Sequence, residues 1–187
     1  MRLLKFLGGA VTGLAAIMLV NALRVSPAPR APAATDLVAV DAAAVVPHLA
    51  GAIRIPTVSY GNRSQIDESK LDEFAAYLQK NFPRVHAELK REVVNGHSLL
   101  YTWPGSDPAA RPMLTLAHQD VVPIEPGTEK AWKHAPFSGD VADGYLWGRG
   151  ALDDKSSLMA QLEAVELLLA QGFKPKRTVY FAFGHDE

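Results

Sequence analysis

The sequence contains no cysteine. That absence excludes a disulfide framework and any thiolate metal site, so a bound metal would have to be held by His, Asp and Glu. Charge of one sign is also missing. Nineteen Lys and Arg stand against twenty Asp and Glu, a net charge of -1, which gives no electrostatic basis for binding nucleic acid. There is no internal repeat. No acidic residue occurs before Asp36, and this local absence matters most for organisation. Arg2 and Lys5 precede an apolar run of 18 residues from Phe6 to Leu23. A positive start followed by an apolar run is the pattern of a secretory signal or an uncleaved anchor. The run is near the lower limit of the roughly 17–25 residues that span a bilayer, and Val20-Asn21-Ala22 offers a small-residue cleavage site, so residues 1–25 read as a signal peptide or a membrane anchor. Either places the remainder outside the cytoplasm, periplasmic or extracellular. Residues 26–35, rich in Pro and Ala, read as an extended linker, and residues 36–187 as a globular domain. With 48% hydrophobic residues, the chain can bury a core.

Within the domain, Asp41 to Ile53 reads as a helix, with Pro47 kinking it or marking its first turn and Pro56 ending it. Leu71, Phe74, Ala75, Leu78 and Phe82 define one apolar helix face, and Pro83 stops that helix. The alternation of Val85, Ala87, Leu89, Arg91 and Val93 predicts a half-exposed strand. Ser98 to Trp103 is a second strand. "PMLTLA" and "TVYFAF" are continuous apolar runs, as expected of strands covered on both faces. A helix near Lys155 to Gln171 lies between them, with Leu158, Leu162, Val165, Leu168 and Leu169 inward and Gly172 as its C-terminal cap. Strand, loop, helix, strand is a βαβ pattern. It predicts an α/β domain with a mainly parallel sheet and flanking helices.

In open α/β sheets, ligands bind beyond the carboxyl ends of the strands. His118 and Asp120 follow one apolar run; His185, Asp186 and Glu187 follow the other. Between them, "GRGALDDK" carries Asp153 and Asp154 just before a helix. Three loops thus deliver imidazole and carboxylate to one rim. Nitrogen and oxygen donors without sulfur suit a catalytic zinc or a pair of zincs bridged by carboxylate. Each group also has a plain structural use. His118 fits a hydrogen-bonded histidine at a strand end, Asp153-Asp154 fits a helix N-cap pair, and Glu187 fits a solvated end. Gathered carboxylates repel unless a cation is present, which favours the metal site. A nucleotide-binding loop is not indicated. Gly144, Gly148 and Gly150 do not have the G-x-G-x-x-G spacing, and two aspartates repel phosphate.

The segments "LAHQDVVP", "WKHAPFSGDVADGYLWGRGALDDKSSLMAQLEAVELLL" and "YFAFGHDE", in this order and spacing, resemble the aminoacylase/carboxypeptidase family of di-zinc metallopeptidases, nearest its carboxypeptidase S-like and N-fatty-acyl-amino-acid hydrolase branch. The resemblance covers about residues 53–187. It implies a zinc-peptidase-like catalytic domain acting on a peptide or N-acyl amino acid. His118 would be a ligand of one zinc, Asp153 the carboxylate bridging two zinc ions, Asp120 the residue that orients His118, and Glu187 the general base. It also implies a cis peptide between Asp153 and Asp154. Trp132, Pro136, Phe137, Ser138, Gly139, His134 and Lys155 are taken as structural. In the family the base is followed by a second Glu, later ligands and a small domain that mediates dimerisation. On that pattern the 187 residues are expected to be the N-terminal piece of a longer, homodimeric parent, inactive by itself. The other reading, from a different class, is a membrane-anchored domain that binds a cation without catalysis.

Overall fold

The computed structural model describes residues 2–25 and 38–186. The linker expected at 26–35 and the base assigned to Glu187 lie outside the described residues. Helix α1 (Arg2–Arg24) forms a unit of its own, and the chain from Val40 onward forms a second. Val11, Leu14, Ile17 and Leu19 of α1 are exposed. Among the described residues, no helix is long and apolar enough to cross a membrane.

The second unit begins with α2 (Ala42–Ile53), whose N-terminus is capped by the Asp41 carboxylate accepting from the Ala43 amide at 2.9 Å. Pro47 lies inside this helix. The Asp67 side chain caps α3 (Glu68–Asn81) in the same way, and α3 buries Leu71, Phe74 and Leu78. Pro83 does stop α3, but it also opens α4 (Pro83–Glu88). Proline at a first helical position loses no hydrogen bond, because that amide has no intrahelical partner. The strand expected from Val85 to Val93 is therefore divided. Val85 and Leu89, four residues apart, are both buried from the α4 turn, and β1 (Lys90–Val94) starts only after it.

β1, β2 (Ser98–Trp103), β6 (Val179–Gly184) and β3 (Met113–His118) lie side by side in that order. The β3–β6 ladder is parallel, as the βαβ pattern requires. The β1–β2 and β2–β6 ladders are antiparallel, so the sheet of this α/β domain is mixed. Leu99, Tyr101 and Trp103 pair in register with Phe183, Phe181 and Val179 and share one face. That face packs on α5 (Lys155–Ala170) through Leu158, Met159, Leu162 and Val165, and on Phe74 and Leu78 of α3. Leu168 and Leu169 are only partly buried against it.

One expectation fails here. Among the described residues β3 is an edge strand and is not covered on both faces. Thr115 faces α5, its hydroxyl donating to Gln161 Oε1 at 2.6 Å, whereas Leu114 and Leu116 on the other face are 57% and 69% exposed. A continuous apolar run fixes strand character but cannot say how many faces the surrounding chain covers. A second, two-stranded sheet joins β4 (Asp140–Ala142) to β5 (Tyr145–Trp147). Its two-residue turn, Asp143-Gly144, has φ of 54° and 79°. Both residues at positive φ is the geometry that matches the twist of a tight hairpin.

Candidate metal centre

The parallel register sets His118 opposite Gly184. The carboxyl ends of β3 and β6 therefore reach the same rim, and the Gln119 amide donates to the Gly184 carbonyl at 2.8 Å. The third loop arrives at that rim as well. His118 Nε2 lies 3.1 Å from Asp153 Oδ1, across 35 residues of sequence. The Asp153–Asp154 peptide is cis. Asp154 occupies the N-cap position of α5 without a side-chain capping bond, so the aspartate pair does not serve as the cap.

The other ring nitrogen, His118 Nδ1, lies 2.9 Å from the backbone carbonyl of Asp120 and 3.5 Å from its Oδ1. The ring is thus held by the peptide of Asp120 at closer range than by its carboxylate. A proton on Nδ1 turned toward that carbonyl leaves Nε2 to face Asp153. Two electron-rich atoms at 3.1 Å need a proton or a cation between them. This is also the spacing of two donors that share one ion at about 2.0–2.2 Å each. His118 and Asp153 therefore fit part of a zinc ligand set. Among the described residues, no group of three or more His, Cys, Asp or Glu could hold a metal.

Two other groups from the loop after β6, His185 and Asp186, are engaged elsewhere. His185 is buried, its Nδ1 2.7 Å from Ser98 Oγ and its ring edge-on to His97. Asp186 is ion-paired with Arg63. His134 stacks on Trp147 with ring centroids 4.7 Å apart and meets Asp140 Oδ2 at 3.0 Å, bracing the β4–β5 hairpin. The loop before β4 docks on α2. Arg54 donates to the carbonyls of Ser138 and Gly139, and a Cβ on Gly139 would meet the Ala50 carbonyl oxygen at 2.3 Å.

Gln119 is not singled out by the sequence, and Lys155 reads there as structural without its partners being legible. Gln119 is fully buried, and its side-chain amide donates to the carbonyls of His97, Phe183 and Gly184. It anchors the His118–Asp120 turn to β6 and to the β1–β2 turn. The Thr57 hydroxyl donates to the Gln119 carbonyl at 2.7 Å, and the Val121 amide donates to the Thr57 carbonyl, so the segment after α2 laces the other side. The usable signal was the polar residue between His118 and Asp120, which must face the opposite way from both. Lys155 is also wholly buried. Burial pulls its amino group down to about 7, against the upward pull of the Asp120 and Glu73 carboxylates.

Comparison with known proteins agrees with this geometry. Residues 114–187 match the profile of Peptidase family M20/M25/M40. Probable carboxypeptidase S-like 2 of Dictyostelium discoideum is 48% identical over 141 residues, covering 74% of this chain and 27% of the relative. The N-fatty-acyl-amino acid synthase/hydrolase PM20D1 of Mus musculus is likewise 48% identical over 141 residues, with the same coverage. The chain therefore spans little more than a quarter of the length of these curated relatives. Human carnosine dipeptidase 1 superposes with a TM-score of 0.63 over 75% of this chain and 31% of its own, at 22% identity, a likeness of fold. With the parallel rim, the His118–Asp153 pair and sequence identity of this order, the chain belongs to Peptidase family M20/M25/M40.

Proposed function

We propose that the chain carries the N-terminal part of the catalytic domain of a zinc-dependent hydrolase of amide bonds, in a peptide or an N-acyl amino acid. The observation that supports this most directly is the His118 Nε2–Asp153 Oδ1 approach of 3.1 Å at the shared end of β3 and β6. The relatives named as a carboxypeptidase and as an N-fatty-acyl-amino acid hydrolase support the substrate class. His118 would hold one zinc and Asp153 would bridge it to a second. Zinc, when bound, polarises the amide carbonyl and brings the pKa of water toward about 7. Asp120 orients the His118 ring and raises its basicity. Glu187, the residue after Asp186, takes the proton from the attacking water and returns it to the departing amine. The products are a carboxylic acid and an amine, here an amino acid or a shortened peptide.

The test is an assay, with N-acyl amino acids and dipeptides, of the whole protein in which this chain occurs. Hydrolysis should depend on added zinc, stop on chelation and return when zinc is restored. Zinc binding without turnover of any substrate in the panel would favour a non-catalytic cation-binding domain.

We also propose that α1 directs export, on the strength of Arg2, Lys5 and the apolar side chains that α1 exposes. A reporter active only outside the cytoplasm should become active when fused after residue 35. N-terminal sequencing of the exported product would distinguish a cleaved signal from a retained anchor, and a reporter that stays in the cytoplasm would end the idea.

A further inference from the structure

Lysine is among the residues least often fully buried, yet the Lys155 side chain is 0% exposed. Its amino group donates to the carbonyl oxygens of Ala52, in the last turn of α2, at 2.9 Å and of Ile55, just after the helix, at 2.6 Å, both about a hundred residues earlier in sequence. Nζ lies 4.7 Å from the centre of the Phe74 ring. The stem runs beneath the Gly150 turn, where a Cβ would stand 3.3 Å from Lys155 Cδ and 2.8 Å from Val121 Cγ1. Asp120, 1% exposed, acts on the same amino group.

Capping the last carbonyls of α2 does not require this residue. An exposed lysine within the last turn of α2 would do so with its charge still in water. Lys155 instead opens α5, where a positive charge opposes the helix dipole, and it is desolvated as well. Its placement makes sense through what lies beside it, since it stands two residues after Asp153. One side chain thus gathers the end of α2, the Gly150 turn, the segment after β3 and the start of α5. Both the charged and the neutral amine carry the two N–H groups that the carbonyls of Ala52 and Ile55 use.

We propose that Lys155 is a positioning residue for the metal centre, locking the end of α2 to the start of α5 so that Asp153 stays opposite His118. This rests on the zinc reading above. The measurement is the zinc affinity of the full chain by chelator competition, at a temperature where every variant is folded. Lys155→Met keeps the stem and removes the amine. It should weaken zinc binding about 10–100-fold, the usual effect of losing a residue that orients a ligand. Leu162→Ala, destabilising but distant from the rim, should leave the affinity of the folded protein unchanged. Lys155→Cys, placed in a sequence that has no cysteine and alkylated with 2-bromoethylamine in denaturant before refolding, rebuilds the amine on a thioether stem and should restore binding. Wild-type affinity in Lys155→Met, with His118→Ala impaired, would overturn the proposal and leave the zinc reading standing. Wild-type affinity in His118→Ala would sink both. If Lys155→Met does not fold, amide hydrogen exchange of the unaltered protein decides. Zinc should slow exchange across residues 52–57, and no change there overturns the clamp.

Discussion

His118→Ala should give a folded protein that no longer holds zinc and no longer hydrolyses amides. The imidazole is the nitrogen donor that faces Asp153 at 3.1 Å, and without it Asp153 is an exposed carboxylate, 76% accessible. A single exposed carboxylate does not retain zinc against water. The loss should exceed the roughly 10–100-fold typical of residues that only orient a ligand. Folding should survive, because β3 is paired along its length with β6 and the His118 side chain already contacts solvent. Zinc per chain by mass spectrometry, with the far-ultraviolet circular dichroism spectrum as the fold control, checks this. Asp120→Asn makes the useful contrast. It preserves the backbone carbonyl that meets Nδ1, so most of the metal should remain while turnover falls. Equal zinc content in His118→Ala and the unaltered protein would contradict the assignment.

The second large effect concerns the core. Phe74 is fully buried between α3 and the sheet face, with Lys155 Nζ over its ring. Phe74→Ala removes that apolar volume and leaves a cavity, at a typical cost of about 3–5 kcal/mol. A domain of this size has on the order of 5–15 kcal/mol in total, so much of the stability goes with one residue. The midpoint of urea unfolding should fall steeply with an unchanged slope. Phe173→Ala should shift it far less, because Phe173 is 47% exposed. Equal midpoints for the two variants would mean that the α3 face is not part of the core.

Much of this was legible in residue order. The apolar face of α3, the two apolar runs that became β3 and β6, and the helix between them follow from periodicity alone. The rim followed in turn, because parallel strands joined by a helix end at the same edge. What the residues did not disclose were choices made by partners far away in sequence. Val85 and Leu89 fit a strand alternation and a helical turn equally well, and Pro83 decided between them. His185 stands beside the rim in sequence but turns inward to Ser98, a residue 87 positions earlier. Lys155 reads as structural, without a partner to assign to its amine. Its burial depends on the carbonyls of Ala52 and Ile55, about a hundred residues earlier, and no local pattern encodes that pairing.

The strand order carries a consequence for the timing of assembly. β2 and β3 are made early and lie close in sequence, yet they never pair with each other. Each is bonded to β6, which follows both in sequence by more than 60 residues. Such long-range pairings pay their loop-closure entropy before any contact rewards it. A nascent chain that has not yet released residues 179–184 holds the β1–β2 hairpin and β3 as disconnected pieces. The rim therefore cannot exist before β6 has slotted in beside β3, and until then the turn after His118 lacks its bond to the Gly184 carbonyl.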